Sequence, residues 1–418
     1  MSHFNIRCRH CGVSLKDVYC AFCEHCRNAL LFTDYLEVHL AETGRDGLWR
    51  FNWLPVHAPD FAQPGSVVYK SSGLAGYLGL ENLYIAFNGY WPDMNARVQT
   101  CTFKEYEAAV VLQNARENGM PGLTIASAGN TARAFAHLST IFGFPVIIVV
   151  PRMCLSEMWY IESHLRIPTL VVGDGDYSDA IDIAKRVAPL ADMPFEGGTK
   201  NIAKRDGLGS VMLQAASGIG SMPDRYFQAV GSGAGAVGVW EMSERLLADG
   251  RFGAKLPELH LAQNLPFVPM VRAWDARSRA LFEEDLRPEL IGEITTRVLS
   301  SRYPAFGIEG GVFDALTATN GKMYGVKNEE VFKAQDIFLE KEGIDIVPAA
   351  GVAVAALIQS VSSGNARNND ILLLNITGGG EKKFRTGHAV HEVEAHFVSK
   401  NITDRGIEEV LCKVLKKD

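Results

Sequence analysis

No apolar run in the 418 residues reaches the ~18 that a membrane-spanning helix needs. The opening MSHFNIRCRHC lacks the apolar core of a secretion signal, so the cytoplasm is the expected compartment. Excess positive charge is missing too. Lys and Arg total 41 against 48 Asp and Glu, a formal charge of −7. Nucleic acid and anionic membranes both reward the opposite balance, so neither is an expected partner. There is no internal repeat and no low-complexity segment. Cysteine is scarce beyond the first 26 residues: five of the eight fall between positions 8 and 26, and Cys101, Cys154 and Cys412 stand singly. That clustering is wrong for a disulfide framework.

It is right for metal. Cys8-x2-Cys11 and Cys23-x2-Cys26 are two thiolate pairs about a dozen residues apart, the spacing for one tetrahedral structural zinc in a ribbon. A degenerate ribbon that folds without metal has the same spacing, and Cys20 is a fifth thiol able to replace one ligand. Four thiolates leave no open position, which argues against a catalytic zinc.

The apolar fraction of 47% suffices for a sizeable core, and the length allows two domains. Strands are expected at 66–70 and 83–87, and a loop at 89–99 leads to a helix starting near Lys104. Short apolar runs then alternate with amphipathic segments: strands at 123–126, 146–150 and 169–172, helices at 131–142, 155–165 and 178–187. A later set places strands at 227–230, 259–262 and 371–374, with helices at 237–247, 330–342 and 352–361. This rhythm implies βαβ units and mostly parallel sheets. The tail beyond about residue 384 is polar; its His388, His391 and His396 read as scattered exposed side chains.

Four segments carry chemistry. The first is Thr102-Phe103-Lys104-Glu105. A lysine forms a Schiff base only where it is held in place and can lose its proton, and burial at the start of a packed helix lowers an ammonium pKa. By itself it also reads as an ordinary solvated lysine. The second is Ser127-Ala128-Gly129-Asn130-Thr131, where small residues at a helix start can make a backbone nest for a carboxylate and Asn130 adds an amide. It also reads as a plain turn with an Asn or Thr cap. The third, Gly231-Ser232-Gly233-Ala234-Gly235-Ala236, is a phosphate cradle between strand and helix. It matches the dinucleotide pattern, but the next strand ends in Gln263-Asn264 rather than an acid, so a phosphate monoester fits better than NAD. The fourth is Thr377, after the apolar strand 371–374, whose hydroxyl can meet a ring nitrogen or simply begin a turn.

In this order the segments resemble the fold-type II pyridoxal-phosphate enzymes (tryptophan synthase β-like) and, among them, the threonine synthase family. The resemblance runs from the ribbon to about residue 380. It implies an α/β fold of two open, mostly parallel sheets with flanking helices, plus the N-terminal zinc-ribbon-like segment. The expected division is 1–30 for the ribbon, 31–100 with 200–418 for a large cofactor-binding domain, and 101–199 for a small α/β domain. It further implies pyridoxal 5′-phosphate as cofactor, Lys104 as its covalent anchor and Asn130 at its phenolic oxygen. Gly231, Ser232, Gly233, Ala234 and Gly235 would hold the phosphate and Thr377 the pyridine nitrogen. A neutral Thr at that nitrogen suits elimination over deep carbanion storage.

Threonine synthases typically carry TGSFKD-like and TGHGLK-like motifs. Here they read Thr100-Cys101-Thr102-Phe103-Lys104-Glu105 and Thr377-Gly378-Gly379-Gly380-Glu381-Lys382, and the usual preceding Asn-Pro is missing. Together with FNGYWP (87–92), these departures resemble the cysteate synthase branch, which methanogenic archaea use on the way to coenzyme M. That resemblance implies a β-replacement: O-phospho-L-serine loses its phosphate and sulfite takes its place, with Lys104 as general base. The substrate carboxylate would lie in the nest of Ser127, Ala128, Gly129 and Thr131. Arg133, Arg152, Lys382 and Lys383 are candidate cations for the anions, or surface ion pairs. Cys101 reads as packing. Threonine synthesis from O-phosphohomoserine, and a non-catalytic protein that binds a phosphorylated metabolite, are the competing readings. A homo-oligomer is the expected assembly.

Overall fold

Two sheets, each with its own helices, carry the architecture. A computed structural model describes residues 3–15, 22–27, 29–162 and 167–415, which leaves Cys20 outside the described residues. The larger sheet runs Lys322–Val326, Glu258–Asn264, Arg225–Ala229, Ile371–Ile376, Asn82–Phe87, Val67–Lys70. Its first five strands are parallel, and Val67–Lys70 closes the edge antiparallel. The smaller sheet runs His396–Val398, Thr169–Val172, Val146–Pro151, Leu123–Ala126, all parallel. Strands such as Leu123–Ala126 and Val146–Pro151 are buried at every residue, as parallel strands covered on both faces must be.

The expected strands are present, with small differences in their ends. Other elements differ in kind, among them the strand Lys322–Val326, which is not among the expected strands. Where the helix 155–165 is expected, a 3-10 turn spans Arg152–Glu157 and residues 158–162 are not helical. A helix at Ile202–Ile219 has no sequence counterpart because it is buried almost all round and so shows no amphipathic period. The C-terminal strand His396–Val398 joins the smaller sheet, and Ile407 and Leu411 of the following helix pack into that sheet's core. A division giving all of 200–418 to the large unit does not anticipate this. Parallel pairing across more than 200 residues leaves no local signature.

The N-terminal ribbon is a three-stranded antiparallel sheet, Ser14–Leu15, Phe4–Cys8, Leu31–Tyr35. It reaches past residue 30, and its Phe4, Ile6 and Leu31 share one apolar cluster with Tyr106, Leu112, Val211 and Trp240. Burying such side chains contributes roughly 1.5–3 kcal/mol each, so the ribbon is part of the body. Among the described residues no helix is long and apolar enough to cross a membrane.

Candidate active site

The carboxyl ends of the two sheets meet at one cleft. Ser127 follows strand Leu123–Ala126, Gly231 follows Arg225–Ala229, and Thr377 follows Ile371–Ile376. Open α/β sheets bind ligands at such strand ends. Lys104, Asn130, Gly231, Ser232, Gly233, Ala234, Gly235 and Thr377 all line this one cleft, with Ser127, Ala128 and Thr131.

Lys104 opens the helix Lys104–Glu117, and the backbone before it is held from two sides. The Phe103 amide donates to the Thr377 carbonyl, and the Gly379 amide donates to the Cys101 carbonyl, both at 3.0 Å. Glu105, buried, accepts from the Gln63 amide at 2.8 Å and from the Thr100 backbone. The Lys104 amine lies 2.9 Å from Glu107. Burial pushes its pKa down; Glu107 pulls it up and Lys204 pushes it down again, for a net lowering. That is what a nucleophilic, proton-abstracting amine requires.

Asn130 opens the helix Asn130–Phe142, after Gly129 at φ +124°. A Cβ on Gly129 would stand 2.5 Å from the Glu157 side chain, so the turn demands glycine twice over. Gly129 therefore packs on Glu157 and does not line the cleft. The nest is also partly closed from within, because Ser127 Oγ accepts from the Gly129 and Ala132 amides at 3.0 and 2.9 Å. The glycine loop has Gly233 at φ +86° and opens the helix Ala234–Asp249, whose N-terminus favours an anion. Beneath it, Gln228 and Asn375 share a buried network with Tyr226. Gln263, which stands where a ribose-binding acid would be, is occupied structurally, accepting from the Met270 and Val271 amides.

The proposed cations fall elsewhere. Arg133 is 1% exposed, lies over Trp159 at 4.5 Å, and donates to the Glu157 carbonyl and to Asn130 Oδ1. It thus holds the Asn130 side chain through Oδ1. Lys382 is exposed, Lys383 pairs with Asp93, and Arg152 lies against Phe397. None of these lines the cleft. Cys101 is buried beside Trp159 and Phe384, and burial pushes its thiol well up.

Sequence reasoning missed Lys204. Among the described residues, it and Lys104 are the cations lining the cleft. It pairs with Glu107 and Glu196, each at 3.2 Å. Burial opposes its charge, but the two carboxylates outweigh burial and raise its pKa. A lysine inside a helix buried nearly all round was the available signal.

An amine, an amide, a glycine-rich helix start and a hydroxyl-bearing threonine around one cleft fit an aromatic aldehyde phosphate. At the ribbon, the sulfurs of Cys8, Cys11, Cys23 and Cys26 all lie within 4.8 Å of one another, which fits one tetrahedral zinc.

Residues 92–378 match the family model described as pyridoxal-phosphate dependent enzyme. The cysteate synthase of Methanosarcina barkeri is 45% identical over 96% of this chain and 98% of its own. That of Methanocella paludicola is 46% identical, over 100% of this chain and 97% of its own. Among solved structures, maize serine racemase superposes with a TM-score of 0.58 at 15% identity, over 75% of this chain and 88% of its own. A threonine deaminase of Solanum lycopersicum gives 0.56 at 16%, over 77% and 81%. These two show the fold alone. The family match and the two near-full-length relatives lead to one conclusion: the chain belongs to the pyridoxal-phosphate-dependent enzymes and, within them, to the cysteate synthase family.

Proposed function

We propose that this enzyme joins O-phospho-L-serine and sulfite into L-cysteate and phosphate. The observation that carries the reading is the single cleft shared by Lys104, Asn130, the loop 231–235 and Thr377, in a chain whose relatives are cysteate synthases. Pyridoxal phosphate bound there supplies a carbonyl for the substrate amine and an electron sink that acidifies its Cα–H.

The chain's residues do the rest. The glycine loop and its helix N-terminus would hold the cofactor phosphate, the Asn130 amide would serve the ring oxygen and the Thr377 hydroxyl the ring nitrogen. The Lys104 amine, when free, would take the α-proton on its lone pair. The substrate carboxylate lies at Ser127, Ala128 and Thr131. Both the departing phosphate and the entering sulfite are anions, and Lys204 is the cation that faces them. A cytoplasmic homo-oligomer is the proposed working form.

Mass spectrometry decides between substrates: phosphoserine plus sulfite should give cysteate, while phosphohomoserine alone should give nothing. Threonine as the sole product would sink the proposal. A colourless purified protein would sink the cofactor assignment as well, whereas a visible band lost in Lys104→Ala supports it.

A further inference from the structure

One carboxylate in the cleft wall serves both of its lysines. Lys104 Nζ lies 2.9 Å from Glu107 Oε2, and Lys204 Nζ lies 3.2 Å from Glu107 Oε1. The Thr131 hydroxyl donates to that same Oε1 at 2.7 Å. Glu107 and Lys104 stand one turn apart on a single helix, so their approach follows from helix geometry and not from loop placement. The Glu107 side chain is sealed from solvent, and a carboxylate there is costly unless paired. It has partners from three segments: its own helix, the helix Asn130–Phe142 and the helix Ile202–Ile219.

The surrounding charges close the set. Glu196 holds the far side of Lys204 at 3.2 Å, and Tyr177, at the start of the helix Tyr177–Leu190, lines the cleft beside them. Glu107, Lys204 and Glu196 act on Lys104 directly, and Tyr177, with Cys154 beside it, completes the cluster; burial pushes the Cys154 thiol up to about 12. Burial holds Tyr177 up at about 12, so it stays neutral. The two lysines and two carboxylates then cancel when all four are charged.

We propose that Glu107 is a positioning residue for Lys104: one of its oxygens pins the amine to the cleft wall, the other ties it to Lys204 and Thr131, and Glu107 and Lys204 together set how readily the amine yields its proton. Burial raises the carboxyl's pKa, but both ammoniums outweigh burial and keep Glu107 ionised. It therefore acts as a fixed charge and not as a proton acceptor. A proton taken up by the Lys104 lone pair becomes an ammonium facing Oε2, which steadies it. Lys204 limits that effect by sharing the carboxylate and repelling the new charge, so the amine can lose its proton again. The two residues must push Lys104 in opposite directions.

That opposition is the test. The full-length chain, freed of carbonyl cofactor by dialysis, is labelled competitively with acetic anhydride across pH, and the Lys104 midpoint is read by mass spectrometry. Glu107→Gln should lower the midpoint by about one pH unit or more, and Lys204→Gln should raise it. Glu107→Asp, which retains the charge at greater distance, should fall between wild type and Glu107→Gln. Unchanged midpoints, or shifts of one sign in both Gln variants, would overturn the proposal. Circular dichroism checks the fold of each variant, and if Glu107→Gln does not fold, the direction of the Lys204→Gln shift decides alone. No substrate or turnover enters this measurement, so its failure leaves the assigned reaction standing.

Discussion

Phe103 and Thr377 are joined by a backbone hydrogen bond of 3.0 Å, which fastens the residue before Lys104 to the residue after the strand Ile371–Ile376. Thr102 and Gly378 continue the pairing as an antiparallel bridge. The backbone segments that carry the amine and the hydroxyl are therefore set relative to each other by main chain. Gly378 allows the contact: a Cβ there would lie 2.6 Å from the Cys101 carbonyl oxygen. Gly378→Val should force the two strands apart and misplace Lys104 by a fraction of an ångström to one ångström. A displacement of that size can cost about 100-fold in rate. Steady-state kinetics should show kcat falling by that order with circular dichroism unchanged. Wild-type kcat in this variant would mean that the bridge does not position the amine.

Thr377 is buried just after the strand Ile371–Ile376 and lines the cleft. Thr377→Val keeps the shape and removes the hydrogen bond. One neutral hydrogen bond contributes about 0.5–1.5 kcal/mol, or up to roughly tenfold in rate. The visible band should persist but move, and kcat/KM should drop by up to that factor. A spectrum identical to wild type would place the hydroxyl away from the cofactor ring.

Much of this site was legible because its parts are local. Gly231–Ala236 and Ser127–Thr131 are each contiguous, sit between a strand and a helix, and need glycine or small residues for backbone reasons that sequence displays. Lys204 and Glu107 were not legible as partners, since nothing local links residue 204 to residue 107. Only the packing of helix Ile202–Ile219 on helix Lys104–Glu117 brings them together. The cations chosen from sequence do not line the cleft, for a related reason. Arg133 stands close in sequence to Asn130, but one helical turn carries its guanidinium behind the amide to Trp159 instead of into the cleft. The strand His396–Val398 belongs to the same class of long-range pairing.

His260, on the strand Glu258–Asn264, gives the fold a pH dependence. Burial, reinforced by Arg225 and Lys322, lowers its pKa to about 3, although Glu258 lies 3.5 Å from Nε2. The neutral ring is held against the Tyr324 hydroxyl at 2.8 Å. In the unfolded chain the same ring titrates near 6.5. Between these values the unfolded state binds the extra proton, so stability is intact above about pH 6.5 and is lost as pH falls toward 3. The slope from this one group approaches about 1.4 kcal/mol per pH unit. Urea unfolding at pH 7.0 and 5.0 should show the loss, and His260→Gln should flatten it. An equal loss in the variant would assign the slope to other groups.

Metal removal probes the ribbon. Next to the four sulfurs, Arg9 lies over Phe32 and Trp240 at 4.2 and 4.5 Å and pairs with Glu244 at 2.7 Å. Further along the ribbon, the Leu31 carbonyl accepts from Arg205, and Tyr35 donates to Asp206 at 2.9 Å. Arg205 and Asp206 follow Lys204 on the same helix, so the ribbon buttresses the segment that carries the second lysine of the cleft. A structural zinc contributes folding energy outright. Colorimetric assay should find one zinc per chain, and a strong chelator should lower the thermal midpoint by about 5 °C or more. Cys8→Ser with Cys11→Ser should reproduce that loss without a chelator. Because the buttress ends beside Lys204, KM for the anionic substrates should rise in the stripped enzyme before the visible band disappears. Simultaneous loss of both would show that the ribbon supports the whole fold and not this helix in particular.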